Sequence, residues 1–120
     1  MLVIFWDTKE APAAKKKIAK QFGELEKDIK LGNKKVAKVV FTDARSIRKL
    51  NKTYRKLDKE TDVLSFTEDL DEIYINYDWI KSGKRTAKEL FIHGYLHLLG
   101  YDHETDQGEM EKLETKLNRI

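Results

Sequence analysis

Apolar runs and amphipathic stretches follow one another in the N-terminal part of the chain, which is the pattern of alternating strands and helices. Leu2–Phe5 is continuously apolar and predicts a buried strand. A helix is predicted next, from apolar residues that recur at steps of three or four: Ile18, Phe22, Leu25 and Ile29. Gly32-Asn33 is expected to end this helix, and the β-branched, apolar run Val36–Phe41 predicts a second strand.

The middle of the chain predicts a helix followed by two short strands. Asp43 can cap a helix, whose buried side is predicted to carry three residues: Ile47, Leu50 and Tyr54. Asp62–Phe66 and Glu72–Tyr77 have strand character, and the second run alternates polar with apolar side chains. We expect both runs to join the same sheet.

The C-terminal part predicts two helices. The first runs from about Thr86 to Leu99 and is expected to end at Gly100. The second begins near Asp106, with an apolar side formed by Met110, Leu113 and Leu117. Together these elements predict an α+β fold, in which a small mixed sheet of about four strands packs with helices.

Length and composition narrow the possible functions. A chain of 120 residues predicts a single domain spanning residues 1–120. It contains no cysteine, which excludes disulfides and thiolate metal sites. The N-terminal apolar run has no basic leader, and no stretch approaches the ~20 apolar residues of a membrane span, so we expect a soluble cytoplasmic protein without a membrane partner.

Positive charge is concentrated in residues 45–59. The only acid there is Asp58, against seven basic residues: Arg45, Arg48, Lys49, Lys52, Arg55, Lys56 and Lys59. This asymmetry predicts a polyanionic partner such as RNA. A solvated helix face that acids balance elsewhere in the fold is the alternative.

The chain has only three histidines, and all of them lie between positions 93 and 103. His93 and His97 are four apart on the predicted helix, so both rings can face one point. If Gly100 ends the helix and turns the chain back, His103 can reach the same point. The spacing therefore predicts a metal centre in which His93, His97 and His103 bind one ion.

Three imidazole ligands are typical of zinc and leave a fourth position open for water, as in catalytic sites. Bound water with a pKa of about 7 makes hydrolysis plausible. Nickel or iron is an alternative ion, and three histidines without a metal are the alternative reading of the motif. Asp102 is a candidate to orient an imidazole or the water, or else a local turn cap.

Gly94 follows the first predicted ligand, where zinc proteases carry a glutamate as general base, so ordinary peptide hydrolysis is disfavoured. A glycine inside a helix costs about 1 kcal/mol relative to alanine. It predicts that another backbone or a substrate passes close to this turn, or that the helix packs closely on its neighbours.

The run His93-Gly-Tyr-Leu-His97-Leu-Leu-Gly-Tyr-Asp-His103 resembles the signature of the YbeY family of ribosomal RNA maturation endoribonucleases. Two upstream segments, Leu50-Asn51-x-x-Tyr54-Arg55 and Thr61–Phe66, resemble that family's second motif in the right order. The resemblance covers about the C-terminal half. Glu60 and Thr67 depart from it where prolines are common, and Asp71-Glu72 departs where Gly-Asp is common.

The resemblance implies a zincin-like fold, one Zn²⁺ held by His93, His97 and His103, and cleavage of single-stranded ribosomal RNA at the ribosome or its small subunit. It also places Arg55 in the cleft, where a guanidinium can hold a phosphate and stabilise developing charge. Ser65 and Asp102 are the candidates for a general acid. The rival functions are an atypical metalloprotease and a noncatalytic ribosome-assembly factor whose zinc is structural.

Overall fold

The computed structural model describes residues 2–29, 37–67, 71–98 and 108–118, which form a four-stranded sheet with helices on both faces. The elements in chain order are β1 (Leu2–Trp6), α1 (Pro12–Ile29), β2 (Ala37–Thr42), α2 (Ala44–Arg55), β3 (Val63–Phe66), β4 (Asp71–Asn76), α3 (Tyr77–Lys81), α4 (Ala87–Leu98) and α5 (Glu109–Asn118). The predicted α+β class and mixed sheet are thereby confirmed.

The strands lie in the order β1-β2-β4-β3. The strands β1, β2 and β4 are parallel, with Phe5 opposite Val40 and Val40 opposite Tyr74. The strand β3 pairs antiparallel with β4, with Leu64 opposite Tyr74, and forms one edge of the sheet. A parallel pair needs a long crossover, which the connection containing α1 provides between β1 and β2.

The strand β1 is the opposite edge of the sheet, and the prediction that it is buried was wrong. Its residues are only partly covered, and Phe5 is 47% exposed. A continuous apolar run predicts a strand covered on both faces. At a sheet edge, however, neighbouring elements cover β1 incompletely.

The main core lies between the sheet and the helices α1 and α4. Ile18, Phe22 and Leu25 of α1 are buried, as their spacing predicted. The Phe22 ring lies 5.7 Å from that of Phe41 on β2 and 5.0 Å from that of Phe91 on α4. These aromatic contacts join both helices to one face of the sheet.

The helix α2 packs differently from the prediction. Ile47 is buried and Leu50 half-buried, but Tyr54 is 60% exposed and Asn51 takes the second buried place. The Asn51 side chain donates to the carbonyl of Lys59 at 2.9 Å, and its own carbonyl accepts from the left-handed C-cap, Lys56. The assignment of Tyr54 to the core was therefore wrong, because the last turn of α2 forms hydrogen bonds with the following loop.

The helix α3 was not predicted. It begins at Tyr77, which had been assigned to the second of the two short strands. The Asn76 side chain accepts from the backbone N–H of Asp78 at 3.1 Å and caps this helix. Two predicted helix termini, Gly32-Asn33 and Gly100, lie outside the described residues. The side chains of Ile29 and of the predicted apolar stripe of α5 lie outside them as well.

The helix α4 lies so close to the sheet that a side chain at Gly94 has no room. A Cβ added there would lie 2.7 Å from Cγ2 of Ile73, 2.9 Å from Cγ2 of Val63 and 3.1 Å from Oγ of Ser65. The first two atoms belong to stiff β-branched side chains. Close helix packing, one of the two explanations expected from the sequence, accounts for this glycine.

The N-terminus of α2 is held by two carboxylates. Asp43 accepts from the backbone N–H of Ser46 at 2.7 Å, as its predicted capping role requires, and Asp78 accepts from that of Ala44 at 2.8 Å. The hydrogen bonds from Ser46 lower the pKa of Asp43 below its ordinary value of 3.8. The charged form of Asp43 therefore stabilises the folded state.

We expect Gly94→Ala to reduce the free energy of unfolding. Overpacking costs about 1–3 kcal/mol, which exceeds the roughly 1 kcal/mol of helix propensity that alanine gains. Gly23→Ala is the matched control, because a Cβ at this exposed position in α1 meets nothing within 4 Å. That control should gain about 0.5–1 kcal/mol. Urea unfolding of both variants measures the difference, and equal gains in stability would contradict close packing at Gly94.

We expect Asp43→Ala to lower stability by about 1 kcal/mol at neutral pH. Because the folded pKa of Asp43 is depressed, its contribution is fully present above the unfolded pKa and is lost as the pH falls through the folded value. The difference from wild type should therefore shrink in acid. Asp43→Asn, which caps without titrating, should stay close to wild type at neutral pH; urea unfolding at several pH values tests both variants. A neutral-pH stability of Asp43→Ala equal to wild type would show that this cap contributes nothing.

Candidate metal centre

Two histidines project from the same side of α4, one helical turn apart. The rings of His93 and His97 are nearly perpendicular, at 86°, with centroids 4.7 Å apart. Their Nε2 atoms lie 3.2 Å from each other. The helix therefore directs two imidazole nitrogens to one place, as the spacing predicted.

The orientation of His93 is set by a residue of α5. Its Nδ1 lies 2.9 Å from Oε1 of Glu114, and both side chains are largely shielded from solvent. A carboxylate only accepts hydrogen bonds, so Nδ1 of the neutral ring carries the proton and Nε2 carries the lone pair. This is the ring form that binds a metal, and a carboxylate on the other nitrogen is the usual support for such a ligand.

The two Nε2 atoms have the separation that a shared ion requires. In a tetrahedral zinc site with Zn–N bonds of about 2.0–2.1 Å, two ligand nitrogens lie roughly 3.3 Å apart. The observed distance of 3.2 Å fits this geometry. Within residues 2–29, 37–67, 71–98 and 108–118, no three potential ligand side chains come together. The predicted third ligand, His103, and the candidate Asp102 lie outside the described residues.

Arg55 is the last residue of α2 and reaches the edge strand β3. Its Nη2 donates to the backbone carbonyl of Ser65 at 2.8 Å, and its Cζ lies 4.8 Å from the centre of the Phe66 ring. The side chain is exposed, so its guanidinium is fixed by one hydrogen bond and one aromatic face while remaining open to solvent.

Ser65 connects Arg55 to the histidine helix. Its carbonyl accepts from Arg55, and its hydroxyl donates to the carbonyl of Gly94 at 2.8 Å. Gly94 directly follows His93 in α4. The Ser65 proton is therefore used in holding β3 against α4, and the geometry does not support Ser65 as a general acid.

The predicted basic segment is largely exposed along α2 and the following loop. The exposed cations are Arg45, Arg48, Lys49, Lys52, Arg55, Lys56 and Lys59. Asp58 pairs with Arg48 at 2.9 Å and lies 4.0 Å from Lys52. Arg48 pairing lowers the pKa of Asp58, which stays charged. One acid offsets only part of this surface, so α2 presents excess positive charge beside Arg55.

Sequence reasoning missed Glu114. It lies 21 positions after His93, in a helix that the sequence predicted only from an apolar stripe. A glutamate on an amphipathic helix gives no signal of its own, since most such residues are solvated. Only the packing of α5 on α4 identifies it.

A family model described as Endoribonuclease YbeY matches residues 5–120 of this chain. Curated proteins of that name are similar in sequence. The protein from Nitratiruptor sp. is 47% identical, with 66% of this chain and 65% of the relative covered. The protein from Acholeplasma laidlawii is 44% identical, with 71% of each covered. The one from Campylobacter jejuni subsp. jejuni serotype O:23/36 is 44% identical, with 72% and 75% covered.

The fold is similar to a solved structure, the solution structure of TM1509 from Thermotoga maritima. The TM-score is 0.60 at 26% sequence identity, and the superposition covers 98% of this chain and 86% of that one. The sequence alignments span about two thirds of the length of the first relatives. None of the helices in the described part of the chain is long and apolar enough to cross a membrane.

Proposed function

Because this chain belongs to the Endoribonuclease YbeY family, we propose that it is a metal-dependent endoribonuclease that hydrolyses single-stranded RNA during ribosomal RNA maturation. The observation that carries the metal-dependent part is the pair of Nε2 atoms of His93 and His97, 3.2 Å apart. Glu114 holds one of these rings in the form that binds a metal.

The proposed ion is zinc, with His93 and His97 as two ligands and His103 as the third. The absence of cysteine leaves histidine and carboxylate as donors, which suits zinc and also nickel or iron. Lewis-acid chemistry on a phosphodiester at neutral pH is what zinc supplies at such a centre. Asp102, adjacent to His103 in sequence, is proposed to orient an imidazole or the attacking water.

Arg55 is proposed to bind the phosphate of the substrate. The carbonyl of Ser65 and the ring of Phe66 fix its guanidinium before any RNA binds, so little side-chain freedom is lost on binding. A planar guanidinium can donate two parallel hydrogen bonds to a phosphate. Placed there, it stabilises the extra negative charge that develops as phosphorus is attacked.

The proposed substrate is ribosomal RNA bound to the ribosome or its small subunit, and the proposed location is the cytoplasm. The basic surface of α2 supports a polyanionic substrate, since phosphate contacts dominate RNA affinity. The chain is proposed to act as one domain over residues 1–120.

A second candidate is a noncatalytic assembly factor in which the metal has a structural role. The contact between His93 and Glu114 favours it, because this contact joins α4 to α5 directly at the metal ligand. Zinc bound there would contribute to folding. If chelator unfolds the protein and the zinc-loaded form never cleaves RNA, the structural role is the correct one.

We expect His97→Ala to lose stoichiometric zinc and RNA cleavage, because a ligand is removed. Glu114→Ala should lower zinc affinity by about 10–100-fold, since His93 loses its support. Glu111→Ala is the matched control for charge, because Glu111 is exposed on the same helix. Elemental analysis and zinc titration against a competing chelator measure both effects. Full zinc occupancy in His97→Ala would contradict the ligand assignment.

We expect Arg55→Ala to lower the cleavage rate at saturating single-stranded RNA by about 100-fold or more, as for the loss of one transition-state donor. Arg48→Ala is the control, because it removes the same charge from the same helix and breaks only an exposed pair with Asp58. Its rate should stay within about threefold of wild type. Equal losses in both variants would show that Arg55 acts only through the general charge of α2.

A further inference from the structure

Tyr54 exposes a large aromatic ring at the end of the basic helix. Its side chain is 60% exposed, and its ring makes a T-shaped contact with that of Phe66, with centroids 5.3 Å apart and planes at 68°. Leu57, three residues later, is 47% exposed. Tyr54 thus presents a large aromatic surface to solvent at the end of α2, close in sequence to a second exposed apolar residue.

The Tyr54 ring rests on a fixed support. Phe66 contacts Tyr74 edge-to-face at 5.8 Å, and the Arg55 guanidinium lies over the Phe66 ring at 4.8 Å. The Tyr74 hydroxyl donates to Glu72 at 2.7 Å. Burial and this hydrogen bond raise the pKa of Tyr74 to about 12, so it remains a donor at neutral pH. We call the three rings of Tyr54, Phe66 and Tyr74 the aromatic ladder.

The surroundings of the aromatic ladder favour a nucleic acid as its partner. Arg55 and Lys56 directly follow Tyr54 in the chain, and both are exposed. Lys52, two residues before Tyr54, has a side chain that is 67% exposed. Tyr54 and Arg55 both contact the Phe66 ring. An exposed aromatic ring beside a cation suits a base attached to a phosphate backbone, whereas protein interfaces are depleted in lysine.

We propose that Tyr54, supported by Phe66, is the stacking platform for one unpaired base of the RNA whose phosphate Arg55 holds. This inference rests on the proposed function, because it states how the same site selects its substrate. Every base presents a flat face, so stacking requires no particular sequence. A base inside a duplex is already stacked on both sides, and the platform therefore selects single strands.

The test compares binding of a short oligouridylate with binding of an RNA duplex of equal charge, by fluorescence anisotropy at constant salt. We expect Tyr54→Ala to weaken single-strand binding by about 5- to 150-fold, the range found for one stacked base. Duplex binding should change by less than about twofold, since phosphate contacts remain. The slope of the logarithm of single-strand affinity against the logarithm of salt concentration should be the same in Tyr54→Ala as in wild type.

Two further variants separate stacking from other effects. Tyr54→Phe keeps the flat ring and should bind single strands within about threefold of wild type. Thr53→Ala changes the exposed neighbouring residue and should have no effect. Thermal unfolding of Tyr54→Ala shows whether loss of the contact with Phe66 alters the fold. If Tyr54→Ala binds single strands as tightly as wild type, or loses the same affinity for single strands and duplex, Tyr54 is not a stacking platform.

Cleavage assays distinguish failure of this inference from failure of the proposed function. If the platform is correct, Tyr54→Ala should raise KM for single-stranded RNA with little change in kcat, since the lost contact is made before and during reaction. A cleaving wild type whose Tyr54→Ala variant has the same KM overturns the platform alone. A wild type that never cleaves, yet loses single-strand binding with Tyr54→Ala, overturns the proposed hydrolysis and leaves the platform.

Discussion

The close contact of α4 with β3 and β4 determines where the histidine pair of the candidate site lies. At Gly94 the helix backbone approaches Ile73 and Val63 so closely that a single methyl group would clash. The two histidines are the residues immediately before and three residues after this glycine, so their height above the sheet is set by the same contact. A helix held further from the sheet would also lose the hydrogen bond from Ser65 to the Gly94 carbonyl.

The edge strand β3 joins two chemically different surfaces. Its side chains alternate between the faces of the sheet, so Ser65 contacts α4 while Phe66 contacts Tyr54 at the end of α2. The backbone carbonyl of Ser65 receives the Arg55 guanidinium at the edge itself. This short strand therefore contacts the histidine helix α4 through Ser65, and Arg55 and Tyr54 of α2 through the Ser65 carbonyl and the Phe66 ring.

Tyr54 shows that apolar spacing alone does not decide which side of a helix end is buried. Its spacing from Ile47 and Leu50 predicted a core position, and an amphipathic pattern ordinarily supports that interpretation. Asn51 is buried instead, because its side chain donates a hydrogen bond to the carbonyl of Lys59 and its own carbonyl accepts one from the N–H of the C-cap. Tyr54 and Arg55, in the same last turn, contact Phe66 and Ser65 of the edge strand instead.

The sequence by itself determined the α+β class, the capping of α2 by Asp43 and the convergence of His93 with His97, because each depends on local spacing and on the fixed geometry of a helix. Tertiary structure alone decided that Glu114 supports His93, that Ser65 links Arg55 to α4 and that β1 is an incompletely covered edge. These features join residues distant in the chain. No periodicity encodes such pairs, since they follow from how whole elements pack.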